Sequence, residues 1–123
     1  MLRQFGQMSF VTKILMFLDP RFPVLDMKVA RAFANGSFAP LADLRFDRGG
    51  IRLTGNNVRA YECWARWCRE IAGLANEESP SPRRALRAVD VERALFALAG
   101  KPDRDDQARK LLEGPEGWTF DGT

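Results

Sequence analysis

Histidine is absent from this chain, and cysteine is scarce. With no histidine among the 123 residues, general acid–base chemistry would fall to aspartate or glutamate, and a zinc site would need cysteine together with carboxylates. The two cysteines, Cys63 and Cys68, lie on different parts of a predicted helix surface, so they are poorly placed to bridge each other. We therefore expect free thiols, a reducing compartment, and no metal or other cofactor.

Long hydrophobic runs are absent as well. The apolar run at residues 14–18 is far too short to span a bilayer. It also lacks the small-residue cleavage site of a secretory signal. These absences predict a cytoplasmic protein that does not associate with membranes.

The length and composition fit one globular domain. A chain of 123 residues can bury a core of its own, and its 46% apolar and 28% charged residues are ordinary for a globular protein. We expect a helical domain over residues 1–114 and a tail over residues 115–123. The net charge is +3, and most of the cations are arginine. This bias indicates either anionic partners, which arginine binds in a bidentate manner, or the codon usage of a GC-rich genome.

Apolar periodicity predicts a first helix over residues 8–18. Ser9 is a possible N-cap, and Asp19-Pro20 ends the helix because the residue before proline is disfavoured in the α region. The periodic positions form one apolar stripe. Its members are Phe10, Ile14, Phe17 and Leu18.

A second helix is predicted over residues 27–34, capped by Asp26 and ended by Asn35-Gly36. Residues 36–53 contain several glycines and a proline, which favours loop and short turns over a small hairpin. The longest helix follows, running from Thr54 to about Asn76. Its apolar positions recur at intervals of three and four. They are Val58, Tyr61, Trp64, Ala65, Cys68, Ile71, Ala72 and Ala75.

Two further helices complete an all-α fold of about five helices in one compact domain. Asp90 is expected to cap a helix over residues 91–99, with Val91, Leu95 and Leu98 facing inward. Residues 103–113 have the pattern of a last amphipathic helix.

The segment KILMFLDPRFPVLDMKVARAF, residues 13–33, resembles the core of helix-hairpin-helix DNA glycosylases of the 8-oxoguanine glycosylase type. In that family an L-P-G-x-G hairpin precedes a helix, and a "PVD" segment follows with a catalytic aspartate at the mouth of the next helix. Residues 6–9 would overlay the hairpin, residues 10–18 the helix, and residues 23–26 the "PVD" segment. The resemblance covers residues 6–99 and implies a partial glycosylase-like core, with Asp26 matching the catalytic aspartate.

The chain departs from the family pattern at two positions. Met8 occupies the second glycine of the hairpin, where the family needs a backbone N–H to approach a phosphate. The nucleophilic lysine of the bifunctional enzymes lies upstream of the hairpin, and Lys13 falls after it. The resemblance therefore implies DNA binding more readily than base removal.

Asp26 is the candidate catalytic residue. Its carboxylate would stabilise positive charge on a sugar during base release or activate a water molecule. The competing interpretation is that Asp26 only caps the second helix.

Four cations are candidates for DNA backbone contacts. Lys28 and Arg31 are three residues apart and so share a helix face, and contacts of this kind give affinity without sequence specificity. A solvated helix face explains them equally well. The four candidates are Arg3, Lys13, Lys28 and Arg31.

Three aromatic residues of the long helix are candidate stacking surfaces for bases. Tyr61 and Trp64 lie in the apolar stripe and are expected in the core, whereas Trp67 lies on its flank and is the one candidate for exposure.

The sequence thus predicts a DNA-binding helical protein that contacts the duplex backbone and resembles part of a helix-hairpin-helix DNA glycosylase, with base removal impaired or dependent on a partner. A homo- or hetero-oligomer is compatible with this prediction. The alternative is a small helical subunit of a bacterial complex that binds proteins and has no DNA site.

Overall fold

A computed structural model describes residues 7–34, 38–78 and 85–100. This part of the chain is helical, as the sequence predicts, and contains no strand, only isolated bridges from Gln7 to Arg52 and from Asp47 to Gly50. The helices expected over residues 103–113 and the tail over residues 115–123 lie outside the described residues. The described α-helices are α1 (Met8–Leu18), α2 (Met27–Phe33), α3 (Gly55–Glu78) and α4 (Ala88–Leu98), and a short 3₁₀ helix covers Ala39–Leu41.

The core surrounds α3, which packs against α4 on one side and the 3₁₀ helix on another. Trp64 and Trp67 are both fully buried. The prediction that Trp67 is exposed is therefore wrong. Its ring meets Phe38 edge-on at a centroid distance of 5.1 Å. Because α3 is covered on two sides, its buried face is wider than the single stripe that periodicity identifies.

The apolar stripe of α1 points away from the core, and this corrects the expectation from periodicity. Phe17 and Leu18 are 82% and 78% exposed, and Phe10 and Ile14 are also exposed. Met8 and Thr12 face the body of the protein instead.

Thr12 explains this orientation of α1. Its hydroxyl donates to the carbonyl of Met8 at 2.8 Å and accepts from the backbone N–H of Leu25 at 3.1 Å. A buried N–H without a partner would cost about 1–3 kcal/mol. The face of α1 that carries Met8 and Thr12 therefore packs inward, where the Thr12 hydroxyl satisfies the Leu25 amide.

The ends of α1 and α2 follow local rules. Asp19 ends α1 in an extended conformation before Pro20, and the Asp26 carboxylate caps α2 by accepting from the N–H of Val29 at 3.1 Å. Both predictions are confirmed.

Ser9 does not cap α1, because the helix already begins at Met8, whose N–H donates to the carbonyl of Ile51 at 2.7 Å. The end predicted at Asn35-Gly36 lies outside the described residues.

The fourth helix begins earlier than predicted. Asp90 is the third residue of α4 rather than its N-cap, and its carboxylate accepts from the backbone N–H of Arg87 at 2.8 Å. Val91 and Leu95 are buried, and Leu98 packs partly against the core. The inward face of α4 is therefore as predicted, whereas the predicted first residue of the helix was wrong.

Residues 38–53 form loop and short turns, which confirms that prediction. Asn57, at the start of α3, holds this segment with a buried side-chain amide. Its oxygen accepts from the N–H of Arg45 at 2.9 Å, and its nitrogen donates to the carbonyls of Arg45 and Arg52 at 2.7 and 2.9 Å. One side chain thus satisfies three backbone groups that no helix or sheet satisfies.

We expect Asn57→Ala to lower the free energy of unfolding by about 2–4 kcal/mol, because it removes the partner of the Arg45 N–H and carbonyl and one of the two donors to the Arg52 carbonyl, which also accepts from Thr54. Asn56→Ala is the matched control, since Asn56 is exposed and donates one main-chain hydrogen bond, to Asp43 at 2.8 Å; it should cost less than about 1 kcal/mol. Urea denaturation measures both. Equal losses in the two variants would contradict this role of Asn57.

Candidate functional site

A groove of about 390 Å³ lies between α1, the segment before α2, and α4. Its walls carry apolar side chains from all three elements, namely Met16, Phe17, Val24 and Phe96. It is also lined by two cations and two carboxylates, namely Lys13, Arg93, Asp26 and Glu92. The groove is therefore mostly apolar, with charged groups of both signs.

The segment that presents Asp26 to the groove is held by two buried hydrogen bonds. The Tyr61 hydroxyl donates to the carbonyl of Pro23 at 2.8 Å, and the N–H of Leu25 donates to Thr12. Burial raises the pKa of Tyr61 well above its usual value, so its phenol keeps its proton at physiological pH. Tyr61 is thus a positioning residue for the segment that ends at Asp26.

Two of the predicted site residues, Lys13 and Asp26, line this groove together. Lys28 lies beside it, because its ammonium is 4.1 Å from the ring centroid of Phe96, a groove wall. Arg31 is exposed on α2 and does not line the groove. Arg3 lies outside the described residues. The structure thus groups three of the five predicted residues around one feature.

Glu92 is the functional candidate that the sequence prediction missed. It is only 7% exposed although it lines the groove. Among the described residues, no hydrogen bond or ion pair connects its carboxyl group to another side chain. Glu92 lies four residues after the buried Ala88 and three before the buried Leu95, so it is on the buried face of α4. A carboxylate on the buried face of a helix is rare unless it is paired or functional.

Burial raises the pKa of Glu92 to about 7, and the negative charge of Asp26 adds to this effect while Arg93 opposes it. At neutral pH the carboxyl is therefore close to half protonated. A carboxyl group that holds a proton for part of the time can donate a hydrogen bond as well as accept one.

A larger cleft of about 600 Å³ runs along α3, and its lining includes Arg59, Arg66 and Arg69. These cations have partners close by. Arg69 donates to the carbonyl of Arg21 at 3.2 Å, and Arg66 lies 3.9 Å from Glu70. The lining also contains two carboxylates, Asp43 and Glu62. Size alone therefore does not make this cleft the better candidate, because two of these three cations already lie close to protein oxygens and the two carboxylates offset part of the remaining charge.

Aromatic surfaces for stacking come from residues that the sequence did not single out. Tyr61, Trp64 and Trp67 are all buried and present no stacking face. Phe17 and Phe96 are exposed and line the groove, at 82% and 39% exposure. The aromatic contacts available to a ligand are thus on α1 and α4 and not on α3.

Metal binding and membrane insertion find no support in the described part of the chain. No three side chains of the metal-binding types come together there, and neither Cys63 nor Cys68 forms a disulfide. None of the helices in this part is both long and apolar enough to cross a bilayer.

The chain matches no protein-family model, no curated protein and no solved structure.

Glu92 should make the stability of the protein depend on pH. Its pKa is about 7 in the folded state and near the ordinary value of 4.5 when unfolded. Between these values the folded state holds a proton that the unfolded state has released. The free energy of unfolding should therefore fall as pH rises from about 4.5 to about 7 and level off above that, with a total loss of up to about 3 kcal/mol.

We expect Glu92→Gln to remove this loss, so that the variant gains stability relative to the wild type as pH rises. Urea denaturation at pH 5 and pH 8 measures the difference. Glu77→Gln, at the exposed end of α3, is the matched control and should keep the wild-type pH dependence. If the free energies of unfolding of wild type and Glu92→Gln change identically with pH, Glu92 is not the source of the pH dependence.

Proposed function

We propose that this protein binds DNA and contacts the duplex backbone at the groove between α1 and α4. The observation that carries the proposal is the meeting of Lys13, Asp26 and the exposed rings of Phe17 and Phe96 in one groove. Lysine ammonium groups bind phosphates, and exposed aromatic rings stack on bases. Lys28 extends the cationic surface from the groove along α2.

The resemblance of residues 6–99 to helix-hairpin-helix DNA glycosylases supports the same proposal from an independent direction. In that family the counterpart of Asp26 lies at the start of a helix and faces the DNA. Here Asp26 caps α2 and lines the groove. We propose that the chain uses a partial glycosylase-like core for binding, and that any base removal would be hydrolysis with Asp26 as the charge-stabilising carboxylate, because Lys13 does not match the family's nucleophile.

DNA affinity should fall steeply with salt, because phosphate contacts release condensed counterions. Lys13→Gln and Lys28→Gln should each reduce the slope of log affinity against log salt concentration by about 1. Fluorescence anisotropy with plain and abasic duplexes over a salt series measures the slopes. The wild type should prefer the abasic duplex if the glycosylase kinship extends to function.

The matched control is Arg48→Gln, which removes an exposed cation from the turn at residues 47–50, away from the groove lining. It should leave the slope unchanged. A wild-type slope in both lysine variants would show that DNA contacts a different surface.

Asp26→Asn tests the enzymatic form of the proposal. Asparagine caps a helix about as well as aspartate, so the variant should fold with wild-type stability. It should nevertheless abolish the release of bases from a damaged duplex, because the amide cannot stabilise positive charge on the sugar. The measurement is strand cleavage at abasic sites after alkali treatment. Release at the wild-type rate in Asp26→Asn would remove Asp26 from the chemistry.

The second candidate is a protein-binding subunit, and one observation favours it. The stripe of Phe10, Ile14, Phe17 and Leu18 on α1 is exposed, and contiguous apolar surface of this kind commonly marks an interface. A second copy of the chain is the partner to test first. Sedimentation that shows a dimer, together with no DNA binding at low salt, would favour this candidate over the first.

A further inference from the structure

Glu92 is a largely buried acidic residue at the edge of the groove. Only 7% of its surface is exposed, and it lines the groove without a hydrogen bond or ion pair to any other described residue. Burial of most of the residue disfavours the ionised carboxylate. Because Glu92 lines the groove, a ligand bound there can contact its carboxyl group.

The charges that face Glu92 come from every element around the groove. Asp26, from the segment before α2, and Arg93, from α4 itself, act on its carboxyl group, and Lys13 of α1 lines the same groove. The Cys68 thiol of α3 also interacts with Glu92, and burial raises the pKa of this thiol, so it adds no charge. With Glu92 ionised, the two cations and two carboxylates cancel. With Glu92 neutral, the groove carries one net positive charge, which suits an anionic ligand.

We infer that Glu92 is a DNA-contacting residue that enters the complex as a neutral carboxylic acid and donates a hydrogen bond to a phosphate oxygen. The inference rests on the proposed function of the groove. In this form the O–H donates a hydrogen bond to a phosphate oxygen, so the carboxyl group gains a partner. An ionised carboxylate would instead repel the phosphate and add to the negative charge of Asp26. Binding therefore takes up a proton whenever Glu92 is ionised in the free protein.

The protonation behaviour of the free protein supports this inference. Burial and Asp26 raise the pKa of Glu92 to about 7, so the neutral form is available at physiological pH. The chain contains no histidine, and no imidazole therefore titrates between pH 6 and pH 8 to obscure the effect.

The test is fluorescence anisotropy of the full chain with a plain duplex at pH 6, 7 and 8 and constant ionic strength. If only the neutral form of Glu92 binds, the wild-type Kd should rise about tenfold from pH 6 to pH 8, given the pKa of about 7. Glu92→Gln keeps a hydrogen-bond donor and cannot ionise. It should bind as tightly as the wild type at pH 6 and show no change with pH.

Two further variants distinguish the effect of the hydrogen-bond donor at position 92 from the effect of removing a carboxylate charge. Glu92→Ala lacks the donor and should bind more weakly than Glu92→Gln at every pH, although it too should be insensitive to pH. Glu77→Gln removes a carboxylate outside the groove and should keep the tenfold wild-type response.

The outcomes distinguish this inference from the function on which it rests. Binding of wild type that does not change with pH, or a pH response that persists in Glu92→Gln, overturns the role of Glu92 and leaves the DNA site standing. Equal affinities of Glu92→Gln and Glu92→Ala would also overturn it, since the donor would then be irrelevant. The absence of wild-type binding at pH 6 and low salt overturns the proposed function itself.

Discussion

Two buried hydrogen bonds hold residues 23–25 between α1 and α3, and the position of the groove depends on them. Thr12 accepts from the Leu25 amide, and Tyr61 donates to the Pro23 carbonyl across 38 positions of sequence. The segment has no helix or sheet of its own to satisfy its backbone, so these side chains supply the partners. Asp26 follows directly and caps α2, and its carboxylate reaches the groove as a result.

The same constraint determines which side of α1 faces solvent. Burial of Thr12 orients Met8 toward the core and leaves Phe17 and Leu18 exposed. The inward face of α1 thus combines apolar contacts from Met8 and the partly buried Leu15 with the pairing of one backbone amide. The exposed Phe17 lines the groove. Exposure of this apolar side chain does not help the fold, but it makes the ring available to a ligand.

Local signals were sufficient for the bounds of α1 and for the cap of α2. The limits of α1 follow from Asp19-Pro20 and the apolar repeat, and Asp26 acts through a hydrogen bond within its own helix turn. The face of α1 and the burial of Trp67 were not predictable in this way, because both depend on contacts between distant segments. Trp67 is buried because Phe38, from a loop without periodicity, covers it.

Some residues of the candidate site were likewise predictable from local sequence, and one was not. Lys13 and Asp26 were found from the resemblance and from helix-start chemistry, and the structure places both in one groove. Glu92 was missed because the pattern of α4 was interpreted through its apolar residues Val91, Leu95 and Leu98 alone. Its burial depends on how α4 packs against the rest of the chain, which local sequence does not determine.

The most direct test of the account is to map the DNA contacts by NMR, following backbone amide shifts while a short duplex is added. The account predicts that the largest shifts fall on Lys13 and Phe17 of α1, on Asp26 and Lys28, and on residues 92–96 of α4. Shifts concentrated instead on Arg59, Arg66 and Arg69 would place the DNA in the α3 cleft and contradict the assignment of the groove.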